Sequence, residues 1–318
     1  MSLWNEVGDR VHQRRYGSID VSVCVVRGND GLLVVDTRSS HREADEIRDD
    51  LSEFGAASVR WVMNTHAHFD HCFGNYRFGP HSDIGAPIYG HELMPKHLDD
   101  YERPLLAEWI KNGAGGGAEE WLVESVGTPE SLREIVITPT NELVAERALL
   151  DLGDRGVEIL YLGLGHTDND LLLHVPDSEA WLVGDLLEES GPPVYGWGSF
   201  PLDWPQTIAS LCERVTAGAT LVPGHGTPVG PALPSPSSES STASLPSSAS
   251  FTAAAYPRSR PSARAEIAGP IHLRCSRWPS RKATGSSVDS PWWDAAKRSL
   301  EASDSLTLEP MGVGPCRA

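Results

Sequence analysis

Apolar residues fall along the first 230 positions in two alternating textures. Short β-branched runs predict strands at Val21–Arg27, Leu32–Asp36, Val59–Asn64, Pro87–Tyr89, Val157–Leu162, Leu171–Val175, Ala180–Val183 and Thr220–Val222. The turn Gly28-Asn29-Asp30-Gly31 joins the first two as a hairpin. Helical spacing of Ala44, Ile47 and Leu51 predicts a helix over 41–54, with Ser39 or Ser40 as its cap before an acidic first turn. Residues near 91–112 and Pro205–Val215 read as further helices, and Gly113–Gly117 as a flexible connector. From Pro231 this alternation stops, and Ser-, Pro- and Arg-rich sequence runs almost to the end.

Several predicted strands end in a loop that opens with His or Asp, at His66, His166, Asp185 and His225. Loops at the ends of a rigid sheet are where ligands and catalytic groups are presented. The first of them reads Thr65-His66-Ala67-His68-Phe69-Asp70-His71. Alternate side chains of an extended segment share a face, so His66 and His68 could bind one cation while Asp70 and His71 reach another. Imidazole with carboxylate suits a borderline divalent ion such as Zn²⁺. A solvated, turn-forming His/Asp cluster is the competing reading, with Asp70 and Asp185 as simple caps. The later loops weigh against it because they supply the ligands the first loop lacks. His12, His41, His81, His91, His97, His174 and His272 have no comparable setting, and a surface or outer-shell role is expected of each. Cys72 reads as an inert buried thiol or an outer-shell group.

The segment His66-Ala67-His68-Phe69-Asp70-His71 resembles the His-x-His-x-Asp-His signature of the metallo-β-lactamase superfamily. Gly165-His166-Thr167, Gly184-Asp185 and Gly224-His225-Gly226 follow in the superfamily's order, so the resemblance covers roughly residues 8–230. It implies an α+β fold, an αββα four-layer sandwich with metals at one edge between the two sheets. It also implies that His66, His68 and His166 hold one metal, that Asp70, His71 and His225 hold a second, and that Asp185 bridges them. The expected cofactor is Zn²⁺, two per chain, with iron or manganese as other occupants. The expected reaction is hydrolysis, in which a metal-bridging hydroxide oriented by Asp70 attacks an ester, lactone, thioester or amide-like carbonyl.

A superfamily does not specify a substrate. Asp185 stands where the lactonase, glyoxalase-II-like and phosphodiesterase branches place their bridging carboxylate, whereas the commonest true β-lactamases place Cys near the second metal. His68 argues against the di-iron electron-transfer branch, which carries Glu there. The tail does not look like the basic helical module of glyoxalase II. A mononuclear iron persulfide dioxygenase, using the counterparts of His66, His166 and Asp185, is the alternative. After Asp185, the Gly-, Pro- and aromatic-rich stretch to Trp204 offers Tyr195, Trp197 and Phe200 as walls of an apolar substrate pocket, or as ordinary loop packing. Glu188 and Glu189 nearby disfavour strongly anionic substrates.

Charge sharpens the division of the chain. The whole carries −18, but residues 1–230 hold 16 basic and 37 acidic side chains, and residues 231–318 hold 10 and 7. A core at −21 repels nucleic acid and anionic membranes, so a small-molecule substrate is the expected partner. The tail has too little apolar sequence to offset its ordering entropy and is expected to be disordered. Its abrupt composition is also what a frame shift in the coding sequence would produce. Five widely spaced cysteines and an N-terminus without basic and apolar signal regions point to a reduced, cytoplasmic setting.

Overall fold

The computed structural model describes residues 2–17, 19–112, 127–196 and 198–230. The tail from Pro231 and the connector Gly113–Gly117 lie outside the described residues. Twelve strands are described: β1 (Asn5–Gly8), β2 (Val11–Tyr16), β3 (Val21–Arg27), β4 (Leu32–Val35), β5 (Val59–Met63), β6 (Ile88–His91), β7 (Glu142–Val144), β8 (Arg147–Asp151), β9 (Gly156–Tyr161), β10 (Leu171–Val175), β11 (Ala180–Glu188) and β12 (Thr220–His225). The helices are α1 (His41–Asp50), α2 (Phe69–Cys72), α3 (Met94–His97), α4 (Arg103–Asn112), α5 (Pro129–Leu132) and α6 (Trp204–Cys212).

Strand order is β7-β6-β5-β4-β3-β12-β11-β10-β9-β8, with β2 also on β3 and β1 on β2. The two halves of this path meet where β12 and β3 pair through His225 and Val21. Alternation along the strands defines the layers. Cys24, Val26, Leu33 and Val35 face Leu171, Leu173, Leu182 and Val222 in a core between the half-sheets. Val23, Val25, Leu32 and Val34 face the other way and pack on Ala44 and Ile47 of α1. On the second half-sheet, Leu172, Trp181, Val183 and Leu221 pack on Trp204 and Leu211 of α6. The result is the αββα four-layer sandwich. Strands covered on both faces read as near-continuous apolar runs, which is why β3 and β4 stand out in sequence. Each fully buried side chain such as Leu33 or Ile47 contributes roughly 1.5–3 kcal/mol.

Ser40 caps α1 by accepting the Glu43 N–H, as its sequence position predicts. Four strands carry no strong apolar signal. β1 and β2 branch off the main path and β7 and β8 form its ends, and their residues are mixed in polarity. Two boundaries also differ from the pattern. β11 runs through Asp185 to Glu188, and β12 runs to His225, rather than ending in loops before them. Their register slips at Gly184, from Gly184 opposite Pro223 to Glu188 opposite His225, and this irregularity breaks the apolar run. The helical stretch expected near 91–112 is α3 and α4 joined by one π-turn, Leu98–Glu102. Among the described residues no helix is long and apolar enough to cross a membrane.

Candidate metal centre

Every expected donor lies at one edge of the half-sheet junction. β5 delivers the His66–His68 turn, and the single turn α2, entered through His68, carries Asp70 and His71. His166 follows β9, Asp185 sits on β11, and His225 ends β12 beside Val21 of β3. Close approach of β12 to β11 depends on Gly224. A Cβ there would fall 1.8 Å from Asp185 Oδ1 and 2.9 Å from its backbone nitrogen.

Two groups of donors could each hold a cation: His66, His68, His166 and Asp185, and Asp70, His71 and His225. In the first, His68 Nδ1 lies 3.1 Å from His66 Nε2 and 2.8 Å from His166 Nε2. In the second, Asp70 Oδ2 lies 3.3 Å from His225 Nε2 and 3.6 Å from His71 Nε2. Asp185 faces both groups. Its Oδ1 is 3.3 Å from His71 Nε2, and its Oδ2 is 3.3 Å from His166 Nε2, 3.5 Å from His225 Nε2 and 3.8 Å from His66 Nε2. Glu188 joins Asp185 and His225 in a further overlapping group.

Groups behind the rings set their orientation. His166 Nδ1 lies 3.1 Å from the Val194 carbonyl, and His225 Nδ1 lies 2.7 Å from the Ile19 carbonyl. A carbonyl only accepts, so each Nδ1 donates and each Nε2 is the ring atom turned toward the cluster. Asp36 Oδ2 stands 2.8 Å from His71 Nδ1 and also accepts from Thr65 Oγ1 at 2.8 Å, while Asp36 Oδ1 accepts the Thr65 N–H. Thr65 Oγ1 in turn lies 3.1 Å from His66 Nδ1.

Electrostatics divides the rings. Burial pushes the His66, His68 and His166 pKa values down, and neighbouring imidazoles push His66 and His68 further. At His71, burial is outweighed by Asp185, Asp70 and Asp36, which hold its pKa well above the ordinary value. Burial at His225 is likewise outweighed, by Asp185, Glu188 and Asp70. Asp70 and Asp185 stay ionised because His71 and His225 overcome their burial. Burial pushes Glu188 up to about 8. Glu102, behind His68, is raised well above the carboxylate range by burial and then by Asp70.

The donor set fits a bound metal ion. His71 Nε2 and Asp185 Oδ1 are fully buried, face each other and make no hydrogen bond of acceptable geometry. Such orphaned buried atoms call for a partner, and a cation shared between them supplies one.

Asp36, the Asp185–Glu188 pair and the His97–Glu102 pair behind His68 are site features the apolar pattern did not single out. Asp36 carried the same signal as the others, since it opens the loop after β4. The loop after β11 wraps the His166 turn: besides the Val194 carbonyl, Ser199 Oγ donates to the His166 carbonyl and Phe200 N–H to the Gly165 carbonyl. Tyr195 packs on Trp204, and Trp204 on His166, with ring centroids 5.6 Å apart in each pair. Trp197 lies outside the described residues. Cys72 is buried and donates to the Ala67 carbonyl, with its thiol pKa pushed up by burial, as an inert thiol would be. His41 and His174 stack on Tyr76 and Trp181, away from the donor groups.

The family model of the metallo-beta-lactamase superfamily matches residues 17–234. Among solved structures, the chain resembles a metallo-beta-lactamase from Pontibacter korlensis, with a TM-score of 0.54 at 16% identity, covering 71% of this chain and 92% of that one. It also resembles a metallo-beta-lactamase from Hirschia baltica, with a TM-score of 0.52 at 15% identity, covering 71% and 91%. DIM-1 metallo-beta-lactamase aligns with a TM-score of 0.52 at 15% identity, covering 71% and 90%. At such identities these likenesses concern the fold. The family match spans most of the chain and every donor loop described above, and the chain therefore belongs to the metallo-beta-lactamase superfamily.

Proposed function

We propose that this chain is a dinuclear zinc hydrolase acting on a neutral or weakly charged ester, lactone, thioester or amide-like carbonyl. The observation that carries the reading is the placement of Asp185, whose two oxygens face the His66/His68/His166 group on one side and His71 and His225 on the other. His66, His68 and His166 would hold one ion, Asp70, His71 and His225 the other, and Asp185 both. Bound there, the ions would supply an activated water and Lewis-acid polarisation of the substrate carbonyl. Asp70, held ionised between His71 and His225, would orient that water. Val194, Tyr195 and Leu202 expose apolar surface on the loop that wraps His166, which favours a substrate with an apolar flank. Phe200 of the same loop is proposed to extend that wall. The carboxylate of Glu189, whose backbone N–H donates to the His225 carbonyl, disfavours an anionic group at the His225 side.

The working unit is proposed to be residues 1–230, with the Ser/Pro/Arg-rich tail dispensable for metal binding. Elemental analysis of the purified chain, combined with a chromogenic ester, lactone and β-lactam panel, tests the reading. Two zinc ions per chain and hydrolysis abolished by His66→Ala are expected. One iron per chain with oxygen uptake on a glutathione persulfide would replace this reading with the dioxygenase one.

A further inference from the structure

His68 belongs to two buried clusters. Its Nδ1 serves the first, close to His66 and His166. In the second, donor atoms of His68, His97 and Glu102 all lie within 4.8 Å of one another. His97 Nε2 and Glu102 Oε2 are buried without a hydrogen-bond partner, while His97 Nδ1 faces Asp168 Oδ1 at 3.5 Å. The residues themselves are 2% and 3% exposed. They adjoin an apolar cluster of Phe73, Leu98, Leu105 and Trp109 that gives no reason for a carboxylate. Native interiors seldom leave such groups unsatisfied without a function.

The backbone has been shaped to bring them together. Residues five apart on an α-helix point about 140° away from each other. Here Leu98–Glu102 forms a π-turn, closed by the Arg103 N–H to the Leu98 carbonyl, and the wider turn carries His97 and Glu102 toward one face. Single π-turns inside α-helices recur at functional sites for this reason. Glu102 also accepts the Phe69 N–H at the start of α2, the turn that carries Asp70 and His71. From the other side the loop after β11 covers the cluster. A Cβ on Gly198, whose φ is +76°, would fall 2.8 Å from His97 Cε1, and one on Gly196 would fall 3.8 Å from His68 Cε1.

We infer that Glu102, with His97, is a positioning residue for the metal centre. It fixes the His68 ring through the nitrogen that faces away from His66 and His166, and it pins the first turn of α2. This inference rests on the metal reading above. A ligating histidine whose outer nitrogen has a carboxylate or other acceptor is held in one tautomer and one orientation, and loss of that partner weakens metal binding about 10–100-fold. The π-turn and the glycine-lined loop are then parts of a rigid mount for His68.

The test uses the full chain with Glu102→Gln, which keeps an acceptor for the Phe69 N–H and removes the second carboxylate oxygen. Three readouts are taken: the melting temperature without metal, zinc affinity by chelator competition, and the visible spectrum of the cobalt-substituted protein. The expected result is an unchanged or higher metal-free melting temperature, zinc binding at least about tenfold weaker at one position, and an altered cobalt spectrum. A merely structural role would lower the metal-free melting temperature and leave zinc affinity alone. Should Glu102→Gln fail to fold, His97→Asn gives the same readouts with the bond to Phe69 intact. Wild-type zinc affinity and cobalt spectrum in the folded variant would overturn the inference. Absence of metal from the wild-type chain would instead overturn the metal reading itself, so the two failures are distinguishable.

Discussion

On the side of His66, His68 and His166, three imidazoles crowd together and share Asp185, whereas His71 and His225 meet Asp36, Asp70, Asp185 and Glu188. The same ring type is therefore held in opposite states. Burial and mutual repulsion keep the first three rings neutral, with lone pairs ready for a cation. Surrounding carboxylates keep the other two protonated in the metal-free protein. Loading the first position displaces little, while loading the second must release protons, so the second should depend more steeply on pH. The oxygen-rich side is also the better host for a harder ion such as manganese.

The largest effect should come from breaking what the two sides share. Asp185→Ala should empty both positions and lower hydrolysis by at least about a thousandfold, roughly 4 kcal/mol. Elemental analysis alongside rates checks this, and retention of both ions would mean that the sides are independent. Next comes Gly224→Ala, whose Cβ would overlap Asp185 Oδ1 and press on its backbone. Overpacking at so rigid a contact should cost on the order of 1–3 kcal/mol, read as a lower melting temperature together with reduced metal content. Asp36→Asn should act on one side. Zinc at the His71 position should weaken about 10–100-fold, while affinity on the His66 side, followed in the same chelator titration, changes little.

The smallest effect is a pH dependence of metal-free stability with two opposed limbs. For His66, His68 and His166 the folded pKa is depressed. As pH falls below the ordinary histidine value of about 6.5, the unfolded chain takes up protons that the folded rings refuse, and stability drops. For His71 and His225 the folded pKa is raised. Their contribution is complete below about 6.5 and is lost as pH rises through the folded values. Denaturant melts in chelator should thus show a maximum between the limbs. His68→Asn should flatten the acid limb and His71→Asn the alkaline one; a curve that ignores both variants would dissolve the distinction between the sides.

Much of this site was legible in one dimension because each donor adjoins a strongly apolar strand. Val59–Met63 announces His66, Gly156–Tyr161 announces His166, and Thr220–Val222 announces His225. Ser40 as the α1 cap and the β3–β4 hairpin were readable for the same local reason. Mixed polarity hid β2 and β8, whose assignment depends on pairing with β3 and β9 rather than on their own residues. The end of β11 was misplaced because Glu188 joins the strand through His225, 37 positions away, and no pattern within β11 signals that.

By itself, then, the amino-acid order supplied the β-branched runs and the His and Asp residues beside them, which are properties of neighbours in the chain, and the order of those motifs carried the resemblance that implied the layered fold and the seven candidate donors. Which face of each ring looks inward was decided by tertiary structure. Asp36 reaches His71 across 35 positions, the Val194 carbonyl reaches His166 across 28, and the Ile19 carbonyl reaches His225 across 206. The charge of each ring was decided there too, because a pKa follows from burial and from carboxylates that arrive on other strands. The π-turn that joins His97 and Glu102 behind His68 belongs to the same class: its donors lie five apart in sequence, but only the packing of that helix against the His66–His71 turn gives them a common target.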